Sequence, residues 1–577
     1  MTIFENGAAA PRDRHCGLRR STSRLALLAG TVGLAALSSP AQAQCVEGPP
    51  NSFTCSGPTD DPQVLTGLDP VVVTTPGFAV DTTGNGNGLA LTVTGDGAVS
   101  YTDLQASELQ GAGVAFHSTG DNGLSDGGIT VFSDGAIVAS GTQALQLENA
   151  GSGDINVVWN GAITNNAGDG VFAFGESGSS DIALTLSDVL ARGDAIAVKY
   201  QGSGTASLTA TGTVASLTGT AVDIRVNNGT TDLTVNLGRV IGGTDGIVIE
   251  NLGTGATSLT VTGPISFALG ADTGRGIDVV NWTNATDLTI SAADVQGVGT
   301  AVYARNVGTG NTQVTVSGLV ESETDDGVFA YNDESTGTLT ITSAEVHGGD
   351  SGIVAEQGGS GDVVVTANGL VTGETGYGVF VSSGLTAQNV IVTTQEVHGG
   401  IDGIEANNAG LGETLVNASG AVSGATRDGI QATNINQSTN MTILATDTQG
   451  RENGINVDNS GTGFTRVVSS GTASGAAGAG IFIISGVQSS SISVDAATVT
   501  GGTQGIGVAN QGSGATSISA SGPVSGGTSS GISAFNDVNA TDLTINAASV
   551  SGASGISVTN VGTGVTQLTT SGPVTNI

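Results

Sequence analysis

The stretch GIGVANQGSGATSISASGPVSGGTSSGI, residues 505–532, contains one complete turn of a pattern that runs through most of the chain. Apolar side chains alternate with others over residues 506–510, and the Gly-rich letters QGSGAT then interrupt them. A second extended run follows at residues 517–520, and SGPV at 521–524 begins a third before the next turn opens at Ile532. A period of two residues, punctuated by Gly and Pro, predicts short strands.

The residue that opens each turn recurs at a nearly constant interval. From Ile277 to Ile532 the interval alternates between 25 and 26 residues, so the true repeat is 51 residues and two turns long. Longer steps predict loop insertions near residues 117–128 and 267–275, which serve no stacking need and are the better places to expect binding. The opening residues are Leu89, Val114, Leu145, Val171, Ile196, Val222, Ile247, Ile277, Val302, Val328, Ile353, Val379, Ile404, Ile430, Ile455, Ile481, Ile506, Ile532 and Ile556.

Three short strands per turn cannot form an independent domain, and they bury their apolar side only by stacking on neighbouring turns. Stacking strand on like strand gives a parallel β-helix, and parallel crossovers are nearly always right-handed. The predicted fold is therefore an all-β, right-handed parallel β-helix of about 19 coils over residues 86–577. Leucine-rich repeats and calcium-binding nonapeptide repeats are excluded because their repeated words are missing from the chain.

A second column of side chains accompanies the opening residues. Four positions after the opening residue, 11 of the 19 turns carry asparagine. In stacked strands an inward amide can hydrogen-bond the like amides above and below it. We therefore expect a structural ladder of buried amides, in preference to a polar recognition stripe. Its members are Asn149, Asn251, Asn281, Asn306, Asn332, Asn408, Asn434, Asn459, Asn510, Asn536 and Asn560.

The N-terminus is typical of an export signal. Five arginines lead into an apolar stretch over residues 25–37, which is too short to span a bilayer as a stable anchor. The small residues of the AQA word at 41–43 predict cleavage before Gln44. We expect residues 44–85 to form a lead-in or cap, and residues 86–577 to form the repeats.

The composition favours an exported strand-rich protein. The signal removes five of the 14 Lys and Arg residues and two of the 50 Asp and Glu residues, which leaves a net charge of −39. Such a chain has no basic stripe for nucleic acid, and its acidity favours solubility and mutual repulsion. The 94 glycines suit tight turns, and 38% apolar residues supply a core that a disordered chain would lack.

Two cysteines follow the signal, Cys45 and Cys55, ten positions apart. In an oxidising compartment they can close a small loop by a disulfide. A metal site is the alternative, but neither a histidine nor a third cysteine lies within sixty residues of them in the chain beyond the signal. We favour a disulfide that staples the lead-in.

Two histidines recur in the word EVHGG, at residues 345–349 and 396–400. One unit is two coils, so His347 and His398 are expected about 9.6 Å apart along the axis. A zinc ion needs ligands about 2 Å away, so the two histidines cannot readily share an ion. Duplication explains them, and we expect no metal and no cofactor.

The word GTSSG at residues 527–531 matches the GxSxG pattern of serine hydrolases. In that family order a histidine follows the serine, and no histidine follows His398 in this chain. The word therefore predicts a turn.

Repeated acids are the remaining candidates for catalysis. Asp181, Asp232, Asp287 and Asp542 share one phase, just before the second strand, and neighbours among the first three lie two coils apart. General acids and bases of glycosidases need carboxyls about 5–9.5 Å apart. The Asp325-Asp326 pair has no cation near it in the sequence. We expect these acids to solvate turns, and we expect no catalytic residues.

The order of features resembles a known family. The export signal, the lead-in CVEGPPNSFTCSGPTDD at 45–61, the stretch TTPGFAVDTTGNGNGLALTVTGDGAV at 74–99 and the following SGPV- and GGTDGI-type coils resemble the passenger region of a bacterial autotransporter. The resemblance covers essentially all of the chain beyond the signal. It implies a Gram-negative source, passage through the periplasm and display at the cell surface.

The resemblance also implies a partner. Autotransporters end in a β-barrel translocator in the outer membrane, whereas this sequence stops inside a coil at Ile577. We expect the translocator to be a separate protein, or the reading frame to be truncated.

The expected function is binding or adhesion at the cell surface, or a structural role, with a ligand on a host, a neighbouring cell or a polysaccharide. A polysaccharide-degrading β-helix enzyme is one alternative, and a non-functional fragment of a passenger is another. Two or three acids and a cation that converge in one groove of the rod would favour the enzyme.

Overall fold

The computed structural model describes residues 44–268, 274–435 and 437–577, so the predicted signal over residues 1–43 lies outside the described residues. All regular elements within these ranges are β-strands, and they stack coil upon coil into three ladders. The predicted all-β parallel β-helix is therefore confirmed, with 20 strands in the ladder that holds one strand from each coil.

The first ladder contains the strands that begin at the opening residues. In a typical strand the first, third and fifth side chains point inward and are buried, while the second and fourth point outward. Neighbouring strands pair in register, with Ile404 opposite Ile430 and Asn408 opposite Asn434. The strands are Gln63–Gly67, Leu91–Gly95, Val114–Ser118, Gln143–Asn149, Asp169–Gly175, Ile196–Tyr200, Val222–Val226, Ile247–Asn251, Ile277–Asn281, Val302–Asn306, Val328–Asn332, Ile353–Gln357, Val379–Ser383, Ile404–Asn408, Ile430–Asn434, Ile455–Asn459, Ile481–Ser485, Ile506–Asn510, Ile532–Asn536 and Ile556–Asn560.

The second ladder follows the first turn of each coil. It begins with an antiparallel pair, Gln44–Glu47 against Ser52–Ser56, and is parallel from there on. Its further strands are Val71–Thr74, Ala98–Asp103, Gly128–Ser133, Ile155–Trp159, Ile182–Leu186, Ala206–Ser216, Leu233–Gly242, Thr257–Val261, Leu288–Ala292, Thr312–Val316, Leu339–Ser343, Val363–Ala367, Val390–Thr394, Thr414–Ala418, Met441–Ala445, Thr465–Gly475, Ile492–Gly501, Thr516–Gly526, Leu543–Gly552 and Thr566–Thr570.

The third ladder holds the shortest strands. In six coils the second and third strands run together as one long strand, and the register shifts within it, as between Ala520 and Pro523. The separate third strands are Pro58–Thr59, Ala79–Asp81, Glu108–Gly111, Ala136–Ala139, Ile163–Asn165, Val189–Ala191, Ile265–Phe267, Val295–Gly297, Val320–Ser322, Val346–Gly348, Val371–Gly373, Val397–Gly399, Val422–Gly424, Thr448–Gly450 and Val574–Asn576.

One apolar core fills the space inside the ladders, and Ile, Val, Leu and Ala supply most of it. Its bulkiest members lie near the N-terminal end, where Trp159, Tyr101 and Phe116 are fully buried. The Trp159 indole N–H donates to the carbonyl oxygen of Gly135 at 2.7 Å, so burial leaves this donor satisfied. Because each coil is covered by its neighbours, apolar burial couples the coils into one body.

A glycine precedes the opening residue of many first-ladder strands, and the space around it is tight in those coils. A Cβ on Gly403 would lie 2.5 Å from Val422 Cγ1 and 2.6 Å from the carbonyl oxygen of Gly429. The equivalent Gly378 meets the same obstruction in its own coil. These glycines let the chain turn into the first ladder directly beneath the next coil, which accounts for the recurring Asp-Gly-Ile words.

The N-terminal boundary of the β-helix differs from the sequence prediction. The segment 44–85, expected to be a lead-in or cap, already supplies strands to all three ladders. The next first-ladder strand opens at Leu91, opposite Val114, so the assignment of Leu89 was wrong by two residues. A slip of two residues keeps every side chain on the same face, so alternation alone cannot detect it.

The two predicted insertions fall between strands. The first separates Val114–Ser118 from Gly128–Ser133, and it is anchored on an earlier coil. Asn122 Nδ2 and Ser125 Oγ donate to the Asp69 carboxylate at 2.9 and 2.6 Å. The second insertion follows Ile265–Phe267, and its residues 269–273 lie outside the described ranges.

Candidate functional site

The two cysteines expected to staple the lead-in lie directly opposite each other. Cys45 and Cys55 occupy paired positions on the antiparallel strands at the start of the second ladder, and their sulfurs form a disulfide. Cys55 is fully buried. The disulfide thus closes the hairpin that covers the first coil.

The asparagine ladder is buried, but its amides bond differently from the expectation. Asn251, Asn306 and Asn510 accept at Oδ1 from the backbone N–H two residues ahead, at 2.7–3.0 Å. Their Nδ2 groups donate to carbonyls or hydroxyls of the turn. Within the described ranges, no hydrogen bond joins two amides of the ladder directly. Each amide instead fixes the turn that ends its strand, because the backbone groups there need partners.

Threonines link these asparagines from coil to coil. Thr257 Oγ1 accepts from Asn251 Nδ2 at 2.8 Å and donates to Asn281 Oδ1, in the next coil, at 2.6 Å. Thr516 connects Asn510 to Asn536 in the same way. The threonine phase is occupied by Thr257, Thr312, Thr414, Thr465, Thr516 and Thr566, and the other coils carry Leu288, Leu339, Val363, Val390, Met441, Ile492 and Leu543, so that Val363 alone breaks the alternation in this stretch. This alternation gives the two-coil repeat of 51 residues a physical basis.

The repeated aspartates of the turn bind backbone. Asp181, Asp232, Asp287 and Asp542 each accept a hydrogen bond from a backbone N–H of the following coil, at 2.7–2.9 Å. These side chains are exposed, but their oxygens satisfy donors that the turn leaves free. Their shared phase therefore reflects the stacking of the turns.

Two other sequence candidates also lie in corners. Residues 527–531 form a bend whose backbone N–H groups bond carbonyls of the preceding coil, as between Gly527 and Gly501. Asp326 accepts from the backbone N–H of Ser351 at 3.2 Å. Burial, together with the charge of Asp325, raises the pKa of Asp326 to about 6.

One group of acids with a cation escaped the sequence reasoning. Asp402, Glu405 and Arg427 meet at the corner that leads into the first ladder, with Arg427 Nη1 at 3.1 Å from Asp402 Oδ2 and 3.5 Å from Glu405 Oε2. Asp402 also accepts from the backbone N–H of Asp428 at 2.6 Å. Burial raises the pKa of Asp402 to about 7, against the lowering effects of that bond and of Arg427.

The burial of this group decides its role. Asp402 is fully buried and Asp428 is 1% exposed, so a substrate has no access to the pair. Asp428 accepts in turn from Asn453 N and Nδ2, at 2.8 and 2.9 Å, which extends the chain of bonds to a third coil. Acids and a cation do converge here, yet they join coils instead of forming an open groove.

Aromatic and charged side chains concentrate on the outward face of the first ladder. We call this the aromatic face and define it by the first and third residues after the opening residue of each first-ladder strand, which are the second and fourth residues of a five-residue strand. The same coils carry mainly Thr and Ser outward on the second ladder, as at Thr340 and Thr342. The aromatic and basic members of the aromatic face are His117, Phe172, Phe174, Lys199, Arg225, Tyr303, Arg305, Phe329, Tyr331, Phe380, Phe482 and Phe535.

Contacts across the coils order these side chains. Tyr303 and Phe329 stack with centroids 5.2 Å apart, and Arg275 lies 4.0 Å from the Tyr303 centroid. Arg305 lies 5.6 Å from the Tyr331 ring and 5.8 Å from that of Trp282, which is 38% exposed. Each such cation–π contact stabilises by about 0.5–1 kcal/mol at exposed sites. The result is a row of partly exposed rings and guanidinium groups along the rod.

Concave sites adjoin this face. One, of about 440 Å³, is lined by Phe174, Glu176 and the pair His117 and Glu148, whose Nδ1 and Oε2 lie 3.2 Å apart. Another, of about 330 Å³, is lined by Lys199, Tyr200, Arg225 and Glu250 among others. Both sites lie next to outward aromatic or basic residues. The repeat pattern predicts only the inward residues, so it could not predict these sites.

Two observations concern the described ranges alone. They contain no group of three or more His, Cys, Asp or Glu side chains that could hold a metal ion. They also contain no helix long and apolar enough to cross a membrane.

In comparisons with known proteins, no family model, no curated protein and no solved structure matches the chain. The fold defines its class as a parallel β-solenoid.

Proposed function

We propose that the protein is an exported, autotransporter-like passenger that binds a partner at the cell surface through its aromatic face. The observation that carries the proposal is the placement of aromatic and basic side chains on one of three faces. Outward positions of a solenoid need no aromatic residue for stacking, as the Thr-rich second ladder illustrates. Tyr, Trp, Phe and Arg are the residues that binding interfaces favour.

Charge supports the same choice of face. Lys199, Arg225 and Arg305 project from it, and Arg275 and Arg427 lie in corners that lead into it. They account for five of the nine basic residues beyond the predicted signal. The same face also carries acids, such as Asp223 and Glu250, which lie 3.6 and 3.7 Å from Arg225, so it presents charges of both signs to a partner.

The proposal includes partners. The bound ligand belongs to a host, a neighbouring cell or a polysaccharide, and a separate outer-membrane β-barrel would carry the passenger outward. Nucleic acid is not among the proposed partners, because a net charge of −39 repels phosphates.

Adhesion of coated beads tests the binding role. Beads carrying the purified protein are applied to bacterial cells and to a panel of immobilised polysaccharides, and the captured fraction is counted. Replacement of Phe329 and Tyr331 by Ser should lower capture at least tenfold, the loss expected for two interface aromatics at roughly 1 kcal/mol each or more. The matched control replaces Thr340 and Thr342, on the second ladder of the same coil, by Ala.

Equal capture by the wild type and both variants would contradict the proposed face. Export is tested separately, by fractionating Gram-negative cells that express the chain. We expect the exported form to begin at Gln44, as read by mass spectrometry of its N-terminal peptide. Retention of an uncleaved chain in the cytoplasm would contradict the export step without bearing on the binding face.

A further inference from the structure

Both histidines of the third ladder bridge a carboxylate and a hydroxyl. His398 Nε2 lies 2.9 Å from Glu396 Oε1, and its Nδ1 lies 2.6 Å from Ser423 Oγ in the next coil. His347 makes the same contacts one repeat earlier, at 2.8 Å to Glu345 and 2.7 Å to Thr372. The arrangement is therefore a reproducible product of the repeat.

The order of groups around His398 is that of an activated nucleophile. An ionised carboxylate accepts hydrogen bonds only, so the bond to Glu396 keeps a proton on Nε2 of the neutral ring. Nδ1 is then the acceptor, and Ser423 must donate its hydroxyl proton to it. A hydroxyl within hydrogen-bond reach of a base that a third group orients is the general signature of nucleophilic catalysis.

The group is accessible, unlike the acids around Asp402. The side chains of His398 and Glu396 are 42% and 54% exposed. His398 and Ser423 line a concavity of about 240 Å³, together with Asp447, Gln449 and others. This volume is below the range of about 300–1,000 Å³ typical of pockets for drug-sized ligands, so it suits a small acyl group.

A donor for developing negative charge lies beside the serine. Gln449 pairs with Ser423 in the next strand of the third ladder, and it lines the same concavity. A side-chain amide N–H placed there can stabilise the oxyanion of acyl transfer.

We propose that Ser423, His398 and Glu396 form a hydrolytic site for esters of short-chain carboxylic acids. Ser423 Oγ attacks the ester carbonyl carbon, its proton passes to His398 Nδ1, and the C–O bond to the alcohol breaks as that proton is delivered to the leaving oxygen. Water then attacks the acyl-serine and gives a proton to Nδ1, and the acid leaves as the proton returns to Oγ. The net reaction converts ester and water into acid and alcohol.

The spacing between His347 and His398, two coils apart, does not reveal this site. The hydroxyl partner of each histidine, Thr372 or Ser423, lies only one coil away. The three residues follow one another in the chain as Glu396, His398 and Ser423. The lack of a histidine after His398 excludes only sites in which the serine precedes the histidine, so it does not exclude this one.

Hydrolysis of p-nitrophenyl acetate by the purified protein tests the proposal. We expect saturable turnover that falls about 10²-fold or more in Ser423→Ala and in His398→Gln, the usual contribution of a nucleophile with its general base. Ser525→Ala is the matched control, since Ser525 occupies the same outward column beside Thr500 and Ser551. The control should retain the wild-type rate.

Two further readouts separate catalysis from a structural role. A fluorophosphonate probe should label the peptide that contains Ser423, and the label should be lost in Ser423→Ala. Glu396 is a positioning residue, so Glu396→Gln should lower kcat with little change in KM. Equal rates in the wild type and Ser423→Ala, or a label on another residue, would overturn the proposal and leave these bonds as links between coils.

Discussion

Removal of one buried hydroxyl should weaken two coils at once. In the Thr257→Val variant the side chain keeps its shape, but it can no longer accept from Asn251 or donate to Asn281. Thr257 is 1% exposed and Asn281 is fully buried, so water cannot replace the lost partner without opening the coil.

The magnitude follows from the bonds that remain. Asn251 Nδ2 retains a longer bond to the carbonyl oxygen of Gly255, at 3.4 Å. Asn281 Oδ1 loses Thr257, the one donor that the described chain gives it. A buried acceptor left without a partner costs about 1–3 kcal/mol, so we expect a loss of roughly 2 kcal/mol in the local free energy of opening.

Native-state hydrogen exchange, read by mass spectrometry on peptides from residues 247–292, measures that loss. Amides that exchange through local opening should exchange about 30-fold faster, since every 1.4 kcal/mol is a factor of ten. Thr257→Ser, which restores the hydroxyl, should recover most of the protection. Thr289→Val, an outward position of the next strand, is the control. The relay would be refuted if Thr257→Val and Thr289→Val exchanged alike.

Three further predictions concern the corners and the N-terminus. Gly403→Ala should lower the free energy of unfolding by about 1–3 kcal/mol, because the added Cβ overpacks the corner. Gly84→Ala should be tolerated, because no atom lies within 4 Å of its Cβ, and thermal unfolding of the two variants measures the difference. Cys55→Ser should lower the stability of the N-terminal hairpin by roughly 2–4 kcal/mol, and limited proteolysis should then cleave the hairpin faster. Equal cleavage of the variant and the wild type would contradict a disulfide in the exported protein. The pKa of Asp402 in the folded chain, about 7, lies above the ordinary value of 3.8, so between these pH values the folded chain holds a proton that the unfolded chain releases. The stability of the coil at 404–430 should therefore fall as pH rises from 4 to 7. Asp402→Asn should flatten that dependence in hydrogen exchange corrected for intrinsic rates.

The repeat made the fold predictable because stacking constrains three positions in every first-ladder strand. Inward apolar residues at Ile404 and Ile430, one coil apart, pair as the spacing requires. The apolar series contains 19 opening residues for the 20 first-ladder strands, because the earliest strand opens with Gln63, a polar residue. Burial of Gln63 is allowed because its amide oxygen accepts from the backbone N–H of Cys45 at 3.0 Å.

The sites were harder to predict, since each depends on side chains from neighbouring coils. The ladder phase placed Asn281 inside the rod but could not tell whether its amide would meet another amide or a threonine. Arg427 reaches Asp402 because the two lie 25 residues apart, one coil in the register of the first ladder. Ser423 and His398 have the same separation. Both pairs become visible when the sequence is aligned at intervals of one coil, about 25 residues, instead of at intervals of the 51-residue unit.

The residues at the outward positions of the first ladder bear on the kind of partner that the proposed binding face would accept. Inward positions repeat the same residue types because every coil meets the same neighbours. The outward pairs do not repeat: Tyr303 and Arg305 are followed by Phe329 and Tyr331, and the face is acidic at Glu405. A linear homopolymer presents the same groups at every step, and it would be matched best by a face that repeats as well. Neighbouring coils are spaced about 4.8 Å apart, and the residues on this face change from one coil to the next. Such a face therefore favours a partner whose surface is also non-repeating, such as a protein or a branched glycan.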